Sequence, residues 1–275
     1  MPELPEVETV MRGLIHALEG KKIAQASLHR ADIRFPVPPD LPARLCGATV
    51  LGFRRRGKFM LMRVSGGISV LIHLGMSGRM LIDRAPEKHE HFTLLMTDGT
   101  RVGFVDPRRF GVLDLVATEA EDTHKLLAGM GPEPLGNAFS APVLGAACKG
   151  RRAPIKAVLL DQSVVAGIGN IYASEALFRA GISPKREAGK VSARGIEALT
   201  GAIKETLRDA IEAGGSSLRD YVQPDGELGY FQHQWKVYGR AGQACERCPG
   251  LDVCPGIKSI VQSNRTTYYC PRTQK

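Results

Sequence analysis

Residues 129–137, Gly-Met-Gly-Pro-Glu-Pro-Leu-Gly-Asn, divide this chain, because three glycines and two prolines in nine positions continue neither a helix nor a strand ladder. The two sides of that break read differently. Before it, candidate strands fall at 22–28, 49–54, 59–64, 68–74, 92–97, 101–105 and 112–116, with Gly66-Gly67 and Asp98-Gly99 as two-residue hairpin turns. Short strands with frequent turns predict a sandwich or barrel. After it, β signals largely stop and helices are expected at 140–148, 155–162, 171–180 and about 192–213, the last ended by Gly214-Gly215. Residues 216–234 have no clear periodicity, and an unstructured stretch of this length in a compact domain is expected to be either a functional loop such as a lid or a disordered segment. The fold class is therefore α+β with more than one domain, divided at 2–130, 131–235 and 236–275.

At the other end, the chain begins Met1-Pro2-Glu3-Leu4-Pro5-Glu6. Methionine before a small residue is normally removed, which would leave Pro2 with a free secondary amine. An α-amino group titrates at about 7.7–8, so part of it is unprotonated at neutral pH and able to attack a sugar C1′ to form an iminium. Val7, Val10, Met11, Leu14, Ile15 and Leu18 recur at helical spacing and predict an amphipathic helix from about Pro5 to Leu18. Pro2 then lies at a helix N-terminus, whose dipole disfavours a second positive charge and lowers the amine pKa. Glu3 beside it is placed to carry protons. Ordinary capping explains the same acidic residues.

Lys and Arg number 37 against 28 Asp and Glu, a formal net charge of +9 that points to a polyanionic partner, nucleic acid first. No apolar run approaches the roughly 20 residues that span a bilayer. There is also no basic segment followed by an apolar core, so no signal peptide is expected and the cytoplasm is the expected compartment.

Cys245, Cys248, Cys254 and Cys270 crowd the C-terminus, while Cys46 and Cys148 stand alone. Clustering of this kind favours a metal over disulfides, and a segment too small to fold by burial alone is held together by tetrahedral zinc. The spacing Cys-x2-Cys-x5-Cys-x15-Cys is irregular. A hairpin is expected from residues 257–262 and 266–269, turning through Ser263-Asn264-Arg265.

Three further stretches bear on nucleic acid. Lys149 to Lys156, with Arg151 among its cations, precede a short helix and the turn Val164 to Asn170; basic side chains and helix N-termini there can hold phosphates, or form a solvated face. Asn170 either caps its helix or reaches a phosphate. Arg54-Arg55-Arg56-Gly57-Lys58 runs into an apolar strand, placing charge at a mouth or an edge. The glycine-rich turns 73–78 and 106–111 present Met76 and Phe110, core residues if taken in isolation. His89 and His91 resemble a metal pair, but without a third ligand nearby phosphate or structural hydrogen bonding suits them better.

These strings occur together, and in this order, in one family. MPELPEVET at 1–9, RRGKFML at 55–61, HLGMSG at 73–78, KHEHF at 88–92, DPRRFG at 106–111, GPEPL at 131–135, GIGNIYASEALF at 167–178, YGRAGQAC at 238–245 and RTTYYC at 265–270 cover the chain end to end. The sequence resembles bacterial formamidopyrimidine-DNA glycosylases. The related endonuclease VIII branch typically has glycine where this chain has Leu4, which favours the purine-lesion branch.

The resemblance implies an N-terminal β-sandwich with an N-terminal helix, a helix-two-turns-helix DNA-binding domain and a zinc-finger β-hairpin. It implies a bifunctional glycosylase and abasic-site lyase that extrudes an oxidised purine such as 8-oxoguanine from double-stranded DNA and cleaves the strand by β,δ-elimination, working as a monomer without a membrane or organic cofactor. Pro2 matches the Schiff-base nucleophile, Glu3 the acid/base, Lys58 the proton donor in β-elimination and Arg265 the donor in δ-elimination. His89, Arg108, Arg151 and Asn170 match DNA-contacting positions; Met76, Arg108 and Phe110 match the residues that fill the gap left by the extruded nucleotide. The loop from Val222 to Tyr230 matches the one that closes over the flipped base.

One departure stands out. The family finger is Cys-x2-Cys-x16-Cys-x2-Cys, whereas here Thr273 occupies the fourth place and 21 residues separate Cys248 from Cys270. The expected ligands of the single zinc are therefore Cys245, Cys248, Cys254 and Cys270; if Cys254 does not reach, the expectation is a three-coordinate site completed by water, or an empty one with the hairpin held by packing. Rival expectations are an oxidised-pyrimidine glycosylase of the endonuclease VIII type, a non-catalytic zinc protein that binds damaged DNA, and a structural nucleic-acid protein.

Overall fold

The glycine- and proline-rich break coincides with a change of compact unit. The computed structural model describes residues 2–216 and 230–275. Its contacts separate into Met1–Ala128 with Ile211–Gln232, and Gly129–Ala210 with His233–Lys275.

In the first unit, helix α1 (Leu4–Leu18) buries Val7, Val10, Met11, Leu14 and Leu18. Each fully buried side chain of this kind contributes about 1.5–3 kcal/mol, against about 0.3–0.5 kcal/mol for an exposed i,i+4 pair such as Arg12–Glu8. Burial therefore holds the helix. It starts at Leu4, with Glu3 at the cap, where the Glu6 carboxylate accepts the Glu3 N–H at 2.8 Å.

Eight strands follow: β1 (Ile23–Leu28), β2 (Val50–Arg56), β3 (Phe59–Val64), β4 (Ile68–His73), β5 (Arg79–Ile82), β6 (Glu90–Met96), β7 (Arg101–Val105) and β8 (Val112–Ala117). They form two four-stranded antiparallel sheets, ordered β1-β6-β7-β5 and β2-β3-β4-β8. Met60, Met62, Val70 and Ile72 of one sheet and Phe92, Leu94, Val102 and Phe104 of the other share a core with α1, which is a β-sandwich. Alternation exposed seven of the eight strands in the sequence. Strand β5 has only four residues behind a glycine turn, and helix α2 (Leu41–Leu45) has only five, too few to show a period.

The second unit holds α3 (Ala141–Cys148), α4 (Ile155–Leu160), α5 (Asn170–Arg179) and all but the last two residues of α6 (Ala193–Glu212), then strands β9 (Lys258–Gln262) and β10 (Arg265–Tyr269). Helix α4 stops two residues short of the expected end at 162, because its apolar run ends at Leu160 and Asp161 Oδ1 accepts the Ser163 N–H at 3.0 Å and hydroxyl at 2.6 Å and turns the chain. Helix α5 is buried from Ile171 to Phe178, as befits a central helix. Its Glu175 accepts the N–H groups of Lys236, Val237 and Tyr238 at 2.8–3.0 Å. Burial pushes that carboxyl pKa upward against these bonds. The β9–β10 turn is tighter than the sequence suggested: Ser263 and Asn264 alone take positive φ, 48° and 58°, and Arg265 already pairs with Gln262. Among the described residues no helix is long and apolar enough to cross a membrane.

Candidate active site and nucleic-acid interface

The N-terminal site begins with Pro2 and Glu3, both buried immediately before α1. Glu6 holds the Glu3 backbone. Its Oε2 accepts the Glu3 N–H, and its Oε1 accepts the Ser216 N–H at 2.8 Å. Gly215 has φ +77°, and a Cβ there would lie 3.2 Å from Glu6 Oε1, so glycine permits this close approach. Residues 217–229, and with them most of the expected lid at 222–230, lie outside the described residues; Tyr230 donates its N–H to the Ala213 carbonyl at 3.0 Å.

Lys58 sits in the β2–β3 turn after Gly57 and is only 9% exposed. The charge expected at a mouth is thus partly drawn inward. Across from it on β4, the His73 ring lies 4.6 Å from the Phe59 ring, and its Nδ1 accepts the Gly75 N–H at 3.0 Å. Burial, reinforced by the charges of Lys58 and Arg34, lowers the His73 pKa to about 4, so the ring is neutral at physiological pH and Nδ1 remains an acceptor. Sequence reading missed His73 and Glu6. For Glu6 the Glu3-x-x-Glu6 spacing was the available signal.

Met76 and Phe110 are not core residues. With Ile33, Arg34, His73, Gly75, Arg108 and Arg109 they line a cavity of about 620 Å³, and Phe110 is 45% exposed. The Arg108 guanidinium lies 5.0 Å from the Phe110 ring centre. The two turns touch through backbone, since a Cβ on Gly75 would fall 2.4 Å from the Phe110 carbonyl carbon. His89 is exposed at φ 69°, whereas His91 is buried and donates from Nε2 to the Asp106 carbonyl at 2.8 Å. The two histidines do not form a metal pair; among the described residues the only group of this kind is made of cysteines.

In the second unit Asn170 opens α5, but its side chain faces the hairpin: Nδ2 donates to the Thr266 carbonyl at 2.9 Å and Oδ1 accepts from Lys156 Nζ at 2.6 Å. Lys156, which the sequence grouped with cations that hold phosphates or form a solvated face, is buried and also donates to Thr267 Oγ1 at 2.7 Å. This network ties the helix pair to β10, two residues from the exposed Arg265. Arg151 is exposed, 3.6 Å from Asp161.

The thiols of Cys245, Cys248 and Cys270 lie within 4.8 Å of one another, a set able to hold a metal ion. Cys248 Sγ is 3.7 Å from Cys270 Sγ, close to the edge of about 3.8 Å in a tetrahedron with metal–sulfur bonds of about 2.3 Å. Cys254 Sγ is 3.6 Å from Cys270 Sγ but does not lie within 4.8 Å of all three. Thr273 Oγ1 fills the remaining side, 3.3 Å from Cys248 Sγ and 3.5 Å from Cys245 Sγ.

A β-sandwich entered through a proline-led helix, followed by a helix-two-turns-helix unit and a cysteine-clustered hairpin, defines a DNA-repair glycosylase. Residues 1–113 match the model of the formamidopyrimidine-DNA glycosylase N-terminal domain, and residues 130–222 that of its H2TH domain. The chain is 66% identical over 275 residues to the formamidopyrimidine-DNA glycosylase of Acidiphilium cryptum and 56% identical over 287 to that of Cereibacter sphaeroides, with both chains covered completely in each pair. The structure of MutM (Fpg) from Thermus thermophilus superposes with a TM-score of 0.88 at 41% identity, covering 99% of this chain and 98% of that one. A Lactococcus lactis Fpg variant bound to DNA containing Fapy-dG gives 0.91 at 33% identity with complete coverage of both. The chain belongs to the formamidopyrimidine-DNA glycosylase family.

Proposed function

We propose that this glycosylase removes oxidised purines, 8-oxoguanine and formamidopyrimidines, from duplex DNA through a Schiff base on Pro2, and then cuts the strand by β,δ-elimination. The Pro2 nitrogen attacks C1′ of the extruded nucleotide as the glycosidic bond breaks and the base leaves with a proton. Glu3 serves the protonation that opens the sugar to the iminium. Loss of a C2′ proton then breaks the C3′–O bond and expels the 3′ phosphate with Lys58 as proton donor. Loss of the C4′ proton breaks the C5′–O bond and expels the 5′ phosphate with Arg265 as donor, and water hydrolyses the remaining iminium to free Pro2. His89, Arg108, Arg151 and Asn170 contact DNA, while Met76, Arg108 and Phe110 fill the vacated space. The observation that carries this reading is the grouping, in one unit, of Lys58 and His73 with the cavity lined by Met76, Arg108 and Phe110. Related proteins support it: structural neighbours are complexes with DNA containing Fapy-dG, carbocyclic 8-oxo-G and an abasic site.

One structural zinc completes the reading. Thiolates are the zinc ligands of choice and a neutral threonine hydroxyl is not, so Cys245, Cys248, Cys254 and Cys270 hold the ion and Thr273 hydrogen-bonds to their sulfurs. Its chemistry is structural, fixing the hairpin that carries Arg265. In this reading the chain works as a monomer in the cytoplasm, apart from membranes, with modules at 2–130, 131–235 and 236–275.

Borohydride trapping tests the mechanism. Protein whose mass shows Pro2 as first residue should crosslink to a duplex with 8-oxoguanine opposite cytosine, and Pro2→Gly should crosslink far less. No adduct from the wild type would mean a damage binder; preferential excision of thymine glycol would mean the endonuclease VIII specificity.

A further inference from the structure

The DNA-facing residues of the first unit stand on three segments distant in sequence: Met76 on the 73–78 turn, His89 ahead of β6, and Arg108 with Phe110 on the 106–111 turn. One residue meets all three, its side chain joining the two turns and its backbone N–H reaching the His89 segment. Asp106 is fully buried. Its Oδ1 accepts the Ser77 hydroxyl at 2.7 Å, its Oδ2 accepts the Gly111 N–H at 2.7 Å, and its own N–H donates to the His89 carbonyl at 3.0 Å. The Ser77 oxygen in turn accepts the Arg108 N–H at 3.2 Å. The Asp106 carbonyl accepts from His91 Nε2 at 2.8 Å and from the Arg109 N–H at 3.2 Å.

The backbone around it is held in unfavourable conformations. His89 and Arg109 take φ of 69° and 57°, values that non-glycine residues keep only where their surroundings over-determine them. Asp106 supplies bonds on both sides of that strain. Because the backbones at Gly75 and Phe110 leave no space between them, a shift of either turn moves the other.

We infer that Asp106 is a positioning residue for the gap-filling step, fixing Met76, His89, Arg108 and Phe110 relative to one another so that they meet DNA as one rigid body. The inference rests on the proposed reading in which Met76, Arg108 and Phe110 occupy the vacated space. A carboxylate suits the task because both of its oxygens face donors. An amide offers one acceptor and one donor, so Asn at this position sets an N–H against Gly111 or turns the Ser77 hydroxyl away from Arg108.

The experiment compares single-turnover excision from an 8-oxoguanine duplex with strand cleavage at a preformed abasic site in single-stranded DNA, where there is no stacked gap to fill. Asp106→Asn should lower the ratio of excision to cleavage by about tenfold or more, and Ser77→Ala, which removes one arm only, should lower it by less. In a Phe110→Ala background the Asp106→Asn effect should shrink, since both act through one element. A ratio unchanged in both Asp106→Asn and Ser77→Ala, or full additivity with Phe110→Ala, overturns the inference; so does equal loss of both activities, which would make Asp106 a general fold residue. If Met76→Ala and Phe110→Ala themselves leave excision at the wild-type rate, the gap-filling reading fails independently of Asp106.

Discussion

Glu6 Oε1 accepts the backbone N–H of Ser216, 210 positions further along the chain, at 2.8 Å, while its other oxygen caps the helix at Glu3. One buried carboxylate thus fixes both the approach to α1 and the stem at Gly215-Ser216. Glu6→Ala strands two buried N–H groups, each costing about 1–3 kcal/mol, so a loss of about 2–6 kcal/mol is expected in urea unfolding. Glu6→Gln, with one acceptor left, should fall between. Excision should slow in both variants, because Glu3 loses its fixed place; an unchanged urea midpoint in Glu6→Ala would refute this account.

A second buried carboxylate ties together strands β2, β3 and β4. Glu121 accepts from Arg54, Arg63 and Ser69 at 2.7–2.9 Å. Burial works against its charge, but the bonds from Arg63, Ser69 and Arg54 prevail and lower its pKa to about 2. The folded pKa lies below the unfolded one, so the stabilisation is complete above about 4.5 and is lost as pH falls towards 2. Glu121→Gln should cost about 2–3 kcal/mol at neutral pH, less than the roughly 3–5 kcal/mol of a fully buried pair because both arginines keep solvent contact. Its stability should also depend less on pH between 4.5 and 2 than that of the wild type.

Periodicity made the sandwich and the helical unit legible before any coordinates, because burial on one face writes itself into the sequence at intervals of two or three to four residues. Short motifs exposed most of the candidate site through resemblance. The partners of those motifs were not legible. Asp106 reads as a turn residue, Lys156 as one more cation and His73 as the end of a strand; each acquires its role from groups brought together by folding. The altered finger shows the same limit, since the sequence displays a missing cysteine and a spare one but not the distance between them.

The neutral state of His73 carries a pH signature. Its folded pKa of about 4 lies below the usual 6.5, so between these values the unfolded chain binds the extra proton and stability rises with pH. The wild type should therefore weaken as pH falls from 6.5 to 4, and His73→Phe should weaken less over that window. Lys58→Met removes one of the charges that hold the ring neutral, so an NMR titration of His73 should move upward in that variant. A titration unaffected by Lys58→Met would show that the two side chains do not interact electrostatically.

The cysteine cluster gives a prediction that separates its two candidate fourth ligands. Cys254 Sγ lies 3.6 Å from Cys270 Sγ, whereas the Thr273 hydroxyl lies 3.3 Å from Cys248 Sγ and 3.5 Å from Cys245 Sγ. If the ion is bound by four thiolates, Cys254→Ser should lower zinc content and speed its release to a chelator, while Thr273→Ala should keep the metal and only loosen its hold, since it removes a hydrogen bond to the ligating sulfurs. Restoring the family pattern with Thr273→Cys in the Cys254→Ser protein should recover a full complement of zinc. Full, slowly released zinc in Cys254→Ser, together with loss in Thr273→Ala, would assign the fourth place to the hydroxyl instead. Because the same hairpin carries Arg265 and its β10 neighbour Thr267 bonds Lys156, metal loss should appear as a lower melting temperature and weaker duplex binding, both measurable without any turnover.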